Sequence, residues 1–217
     1  MSGRESKRFA SACGVVGPPA VIGAIVLATV LASPETFTWR DRALSDMGQY
    51  AAETFWVFNG GVVLGGLLGL AFSWRLWIDA RERLERLGVV LLVVSFVGLV
   101  GVGVFFLDHP AVYLNTELHV HAAATYFVVA PFAHWIYGTG SIRAGRTTLG
   151  LSSIWLGIVH PLAWIGWLLY RPTATDPWTW FAVPEFVAAL AFAVWITVLA
   201  VPLARRDWGG GRDAGRS

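Results

Sequence analysis

The sequence predicts an all-α integral membrane protein, a single six-helix transmembrane bundle with both termini in the cytoplasm. Three observations carry this. First, of 217 residues 56 % are hydrophobic and only 14 % charged, with a mean hydropathy of +0.60. Soluble domains carry about 25 % charged residues. Second, six windows contain no Asp, Glu, Lys or Arg: 9–34, 54–74, 87–107, 118–142, 147–170 and 186–204. Each supplies the roughly 20 apolar residues that an α-helix needs to cross the hydrocarbon core. Porin-like strands would alternate in polarity, and these windows do not. Third, Lys and Arg gather on alternate turns. Arg4, Lys7, Arg8, Arg75, Arg81, Arg83, Arg86, Arg143, Arg146, Arg205, Arg206, Arg212 and Arg216 fall on one side, and Arg40, Arg42 and Arg171 on the other. The positive-inside rule places the first group in the cytoplasm.

Each element follows in order. The N-terminus, 1–8, is short and basic, and the membrane domain spans 9–204. Its helices are expected at about 10–32, 55–77, 88–107, 119–140, 148–170 and 180–203, with a cytoplasmic tail at 205–217. The first apolar run exceeds the 7–15 residues of a signal peptide, so it reads as a retained helix. The longest loop, 33–53, lies outside. Gly61, Gly65 and Gly69 in the second helix, and Gly98, Gly101 and Gly103 in the third, permit close helix approach. That pattern reads as packing within the bundle in preference to a dimer face. Pro131, Pro161 and Pro184 each remove a backbone donor from or beside a helix. Trp39, Trp56, Trp178 and Trp180 form the outer aromatic belt, and Trp74, Trp77 and Trp208 the inner one. The inner loops leave no room for a soluble catalytic domain.

The lone Cys13 excludes a disulfide framework and reads as an apolar filler. The net charge of +2 and the pI near 9.0 reflect membrane anchors, so no nucleic-acid partner is expected. P-loop, dinucleotide and nucleophile-elbow fingerprints are absent.

Polar residues at membrane depth are costly and informative. Asp46, Asn59, Asp108, His109, Glu117, His119, His121, His160 and Glu185 all fall in the outer half, whereas His134 lies toward the inner half. Asp46, Asn59, Asp108, His119, His121, His160 and Glu185 are the candidate ligand-binding residues. Glu117 and His121 share a helical face, whereas His119 and His121 are about 200° apart. Zinc is one candidate cofactor, held by His121, His160 and Glu185. No HExxH or CxxC spacing supports it. Haem is disfavoured, because His121 and His134 have only His160 as a partner, at an intermediate depth. Buried Asn, His and Glu also serve a transporter, or act as interhelical hydrogen bonds with no further role. The expected function is therefore an outward-facing polar pocket. It would bind a small ligand, a lipid headgroup or a partner membrane protein, which includes a second copy of the chain. A membrane-embedded enzyme acting on lipid and a small transporter are the alternatives. The sequence alone leaves open whether His119 or His121 faces inward, and it gives His134 no role beyond a hydrogen bond to a neighbouring helix.

Two segments carry a resemblance. Ala43-Leu44-Ser45-Asp46-Met47-Gly48 in the outer loop and Phe58-Asn59-Gly60-Gly61 in the second helix resemble the integral membrane family called domain of unknown function 998. The resemblance covers about 10–204. It implies an outer histidine before the fourth helix, matched by His119 or His121, and an acidic residue in the last helix, matched by Glu185. Met47 stands where the family has Leu. The resemblance implies no activity. In the matched loop Ser45 is suited to cap a short turn, Leu44 and Met47 to dip inward, and Asn59 to hold the loop down. A structural lid and a ligand contact are equally good readings of that pair. Fifteen Arg to one Lys resembles the usage of haloarchaeal membrane proteins. The expected location is the plasma membrane.

Overall fold

The computed structural model describes residues 3–108 and 118–209. Among them are six α-helices and no strand: α1 (Gly3–Leu31), α2 (Phe55–Asp79), α3 (Arg83–Val104), α4 (Leu118–Arg143), α5 (Thr147–Tyr170) and α6 (Ala182–Gly209). All but α4 are long and apolar enough to cross a membrane. The helix α4 falls short in apolarity, not length, because it carries His119, His121, Tyr126, His134 and Tyr137.

Each helix packs on the next in sequence, and α6 returns to pack on α1, closing a ring. The ring has two ends. The base holds the start of α1, the end of α6 and the turns α2–α3 and α4–α5. The crown holds the loops 32–54 and 171–181 and the end of α3.

Small residues set the spacing. A Cβ on Gly65 would meet the Val21 side chain, and one on Gly61 would meet Ala24, so both glycines face α1. Gly69 faces the Phe96 ring of α3. These glycines pack inside the bundle. The α3–α4 seam is also tight: a Cβ on Gly88 would lie 2.6–2.7 Å from Tyr137 backbone and Cβ atoms. Bulk then fills the ring. Phe192 meets Phe96, Tyr126 and Trp195 with ring centroids 5.3, 5.4 and 5.9 Å apart. A residual cavity of about 30 Å³ beside Cys13, Gly17, Tyr126 and Phe192 is apolar. It has room for about one water molecule but offers too few polar partners to hold one.

Helix ends differ from expectation where charges bond. The helix α3 begins at Arg83, not near 88, because the Glu85 carboxylate accepts the Arg81 and Glu82 N–H groups. The helix α6 continues to Gly209, into the expected tail, and α1 begins at Gly3.

Gly88→Ala should lower stability by roughly 1–3 kcal/mol, because the contact is with backbone and cannot rotate away. Gly60 faces open space, so Gly60→Ala should be neutral or slightly stabilising. Thermal unfolding of both variants in detergent checks the pair.

Candidate functional site

The crown gathers three of the expected residues around one short segment. The 3-10 turn Leu44–Gly48 buries Leu44 and Met47, as apolar residues dipping toward the core should. It is held from below. Asn59 Nδ2 donates to the Gly48 carbonyl at 2.9 Å, Thr54 Oγ1 to the Met47 carbonyl at 2.8 Å, and Glu185 accepts the Leu44 N–H at 2.7 Å. Asp46 accepts the Ala43 N–H at 3.0 Å. Asp46, and not Ser45, thus closes the start of the turn. Burial pushes the Asp46 carboxyl above the ordinary carboxylate range, opposed by that hydrogen bond. Asp46, Asn59 and Glu185 each hydrogen-bond the loop backbone, and Asp46 also accepts from the Gln49 side chain at 3.1 Å.

The loop's first half is anchored separately. Glu53 accepts the Ser33 N–H, and the Thr36 hydroxyl at 2.8 Å. The Ser33 bond leads the effects that hold the Glu53 carboxyl at about 2.

The histidines part company. His119 is the half-buried one, with Nδ1 2.8 Å from the Phe105 carbonyl at the end of α3. His121 is exposed, and Asp108 is exposed with φ near 60°. His109 and Glu117 lie outside the described residues. His160 is wholly buried at mid-depth, between Tyr126 and Phe127. Among the described residues, no three His, Cys, Asp or Glu side chains converge on a point where a metal could sit. His121, His160 and Glu185 occupy three different environments: exposed surface, apolar core and loop anchor. This arrangement does not fit a zinc site.

His134 packs in the core. Its ring stacks on Trp195 with centroids 3.8 Å apart, and Nδ1 lies 3.3 Å from the Ser153 carbonyl. Trp195 Nε1 donates to Ser153 Oγ at 2.9 Å.

The base holds a cluster that sequence reasoning missed. Arg75 pairs with Asp207 through two hydrogen bonds of 2.8 and 2.9 Å, and Ser11 donates to the same carboxylate at 2.6 Å. Arg146 bridges Asp79 and Glu85. Arg206 reaches Asp79 at 2.9 Å, and Ser141 donates to Glu85 at 2.9 Å. The side chains of Glu85 and Arg75 are 0 % and 7 % exposed, so the pairs they make are interior, whereas Arg206 reaches Asp79 from the surface. Expectation treated the arginines only as orientation signals. The informative signal was the acidic residues among them, with Arg75 and Asp79 one turn apart.

Between α5 and α6 an apolar groove of about 590 Å³ opens outward, lined among others by Val159, Leu162, Gly166, Tyr170, Trp180 and Val187. At its crown end the Arg171 guanidinium sits 5.5 Å over the Trp167 ring.

Two outcomes follow. Removing one partner of a buried pair strands the other charge, so Glu85→Ala should destabilise the bundle by roughly 3 kcal/mol or more, read as a lower unfolding temperature in detergent. The folded-state value of Glu53 lies below its ordinary 4.5, so its anchoring is complete above about pH 4.5 and is lost as pH falls through about 2. Amide exchange over 33–37 should accelerate across that window, once corrected for intrinsic rates, and Glu53→Gln should abolish the dependence.

No curated protein and no solved structure matches this chain. A family model does, over residues 15–202, and its description is a protein of unknown function. That span takes in α2 to α5, most of α1 and α6, the Leu44–Gly48 turn and Asn59. The chain belongs to the DUF998 family.

Proposed function

We propose that this chain is a six-span plasma-membrane protein, with its base and both termini in the cytoplasm, that binds a phospholipid in the α5–α6 groove. The α4 helix has 26 residues, enough to cross at about 1.5 Å per residue. It is flanked in the ring by apolar helices and buries Tyr126, His134, Tyr137 and Ser141. The excess of Lys and Arg at the base favours that orientation. The fifteen Arg and the acidic crown suit a high-salt exterior.

One observation carries the lipid reading: the groove is large, apolar and edged by a cation. Its volume, about 590 Å³, lies within the roughly 300–1,000 Å³ of small-molecule sites. Tyr170 and Trp180 line it where an interfacial belt belongs. An acyl chain fits the groove, and a phosphate fits Arg171. The crown's own polar residues are committed to the lid, which favours this site over a polar pocket at Asp46, Asn59 and Glu185.

The test is native mass spectrometry of the intact protein released from mild detergent. The wild type should retain about one phospholipid per chain. Gly166 has open space where a side chain would go, so Gly166→Phe should fill the groove and expel the lipid without lowering the unfolding temperature. Arg171→Ala should weaken retention of anionic more than neutral lipid. A wild type free of lipid, or a Gly166→Phe variant that retains it equally, would overturn the reading.

A further inference from the structure

The mid-bundle holds a set of polar groups that neither the crown nor the groove uses. Both ring nitrogens of His160, Nε2 of His134 and Nε1 of Trp164 are buried without a hydrogen-bond partner in the protein. Both imidazoles are 0 % exposed. Leaving such a group unpaired costs on the order of 1–3 kcal/mol, so four such atoms in one seam call for a physical reason.

The backbone around them is also opened. Pro131 has no N–H, so it leaves the Phe127 carbonyl without its helical donor. The His160 ring lies against that carbonyl, outside hydrogen-bond geometry. Pro161 does the same to the Gly157 carbonyl, and Gly157 packs on the His134 Cβ. Two prolines on facing helices thus each free one backbone acceptor, and the Phe127 acceptor lies beside the His160 imidazole.

These groups are stacked along the membrane normal. On α4, His134, Tyr137 and Ser141 follow at intervals of three and four and share one face. On α5, Ser153, Gly157, His160 and Trp164 do the same. Counting up from the base at 1.5 Å per residue puts Ser141 at about 3 Å, Tyr137 at about 9, His134 at about 14, His160 at about 20 and Trp164 at about 26. The steps in height are about 4–6 Å. The lowest rung, Ser141, already donates to Glu85, which Arg146 holds. Tyr126 of α4 and Trp195 of α6 flank the seam.

We propose that the α4–α5 seam is a proton path, with His160 and His134 as its central relay. A neutral imidazole takes H⁺ on its lone-pair nitrogen and releases H⁺ from the other, returning to neutrality as the opposite tautomer. Ring rotation or a second transfer restores it. The Tyr137 hydroxyl passes a proton the same way, accepting at oxygen and donating its own, toward Ser141 and the Glu85 carboxylate. No bond between heavy atoms changes and no oxidant is needed. The driving force is the proton gradient or the membrane potential.

The full chain is reconstituted in vesicles with a trapped pH dye, and a potassium gradient with valinomycin supplies the potential. The wild type should acidify the lumen several-fold faster than protein-free vesicles. His160→Gln and His134→Gln should each return the rate to the protein-free value. Thr139→Ala, on the exposed face of α4, should keep the wild-type rate. Wild-type vesicles at the protein-free rate would overturn the proposal whether or not the variants fold. So would either histidine variant, shown monodisperse, keeping more than half the wild-type rate.

Discussion

The fold depends on the ion-pair cluster at the base. Arg75, Asp79, Glu85, Arg146, Arg206 and Asp207 come from α2, α3, the turn before α5 and α6, and Ser11 and Ser141 add α1 and α4. All six helices are therefore tied at one end. Hydrophobic burial cannot do this in a bilayer, because lipid tails solvate Leu and Val as well as a protein core does. Small residues permit close approach but leave sliding open. Buried charges do not, because a displaced guanidinium or carboxylate is left unpaired and the penalty is several kcal/mol. The cluster thus fixes the axial position of each helix, and its specificity is worth more than its net stability.

A fixed base has consequences at the crown. With α2 and α6 locked by Arg75 and Asp207, Asn59 and Glu185 at the far ends of those helices stand at set heights. The Leu44–Gly48 turn drops onto both, so the lid rests on the same two helices that the strongest ion pair joins below. Glu53, Ser33 and Thr36 then hold the ascending part of the loop. Trp180 donates its backbone N–H to the Arg40 carbonyl at 2.6 Å, which ties the two crown loops together.

Much of this was legible in the sequence. The absence of charge over 9–34, 54–74 and the later windows located the helices, because one Lys or Arg in a span costs enough to be excluded. Asn59 beneath the Leu-Ser-Asp-Met-Gly loop was readable equally as a latch and as a ligand contact, and its hydrogen bond to the Gly48 carbonyl is one that a latch would make. The base cluster was not legible as a cluster. Composition counts Arg75 and Arg146 as positive charge, and only the three-dimensional ring brings Asp207 to within 2.8 Å of Arg75 across 132 residues. The histidines failed for a related reason. Periodicity places His119 and His121 on different faces, but the partner that decides between them, the Phe105 carbonyl, sits at the end of another helix. For His134 the sequence offered only a hydrogen bond to a neighbouring helix, which is the Nδ1 contact with the Ser153 carbonyl; its stacking on the Trp195 ring of α6 was not legible.

The helix α5 is where these constraints are weakest. Of the five strongly apolar spans its window is the least buried, at 22 % against 50 % for α3. Its inner face is built from Gly150, Ser153, Gly157 and His160, small or polar residues that give little dispersion energy. Its outer face, with Leu162 and Gly166, walls the groove. Below, Arg146 pins its start to Asp79 and Glu85. Above, Trp167 donates to the Thr179 carbonyl at 2.9 Å. Pro161 interrupts the hydrogen-bond ladder between those two anchors. That interruption falls at the level of His160. The groove wall and His160 therefore belong to a single helix.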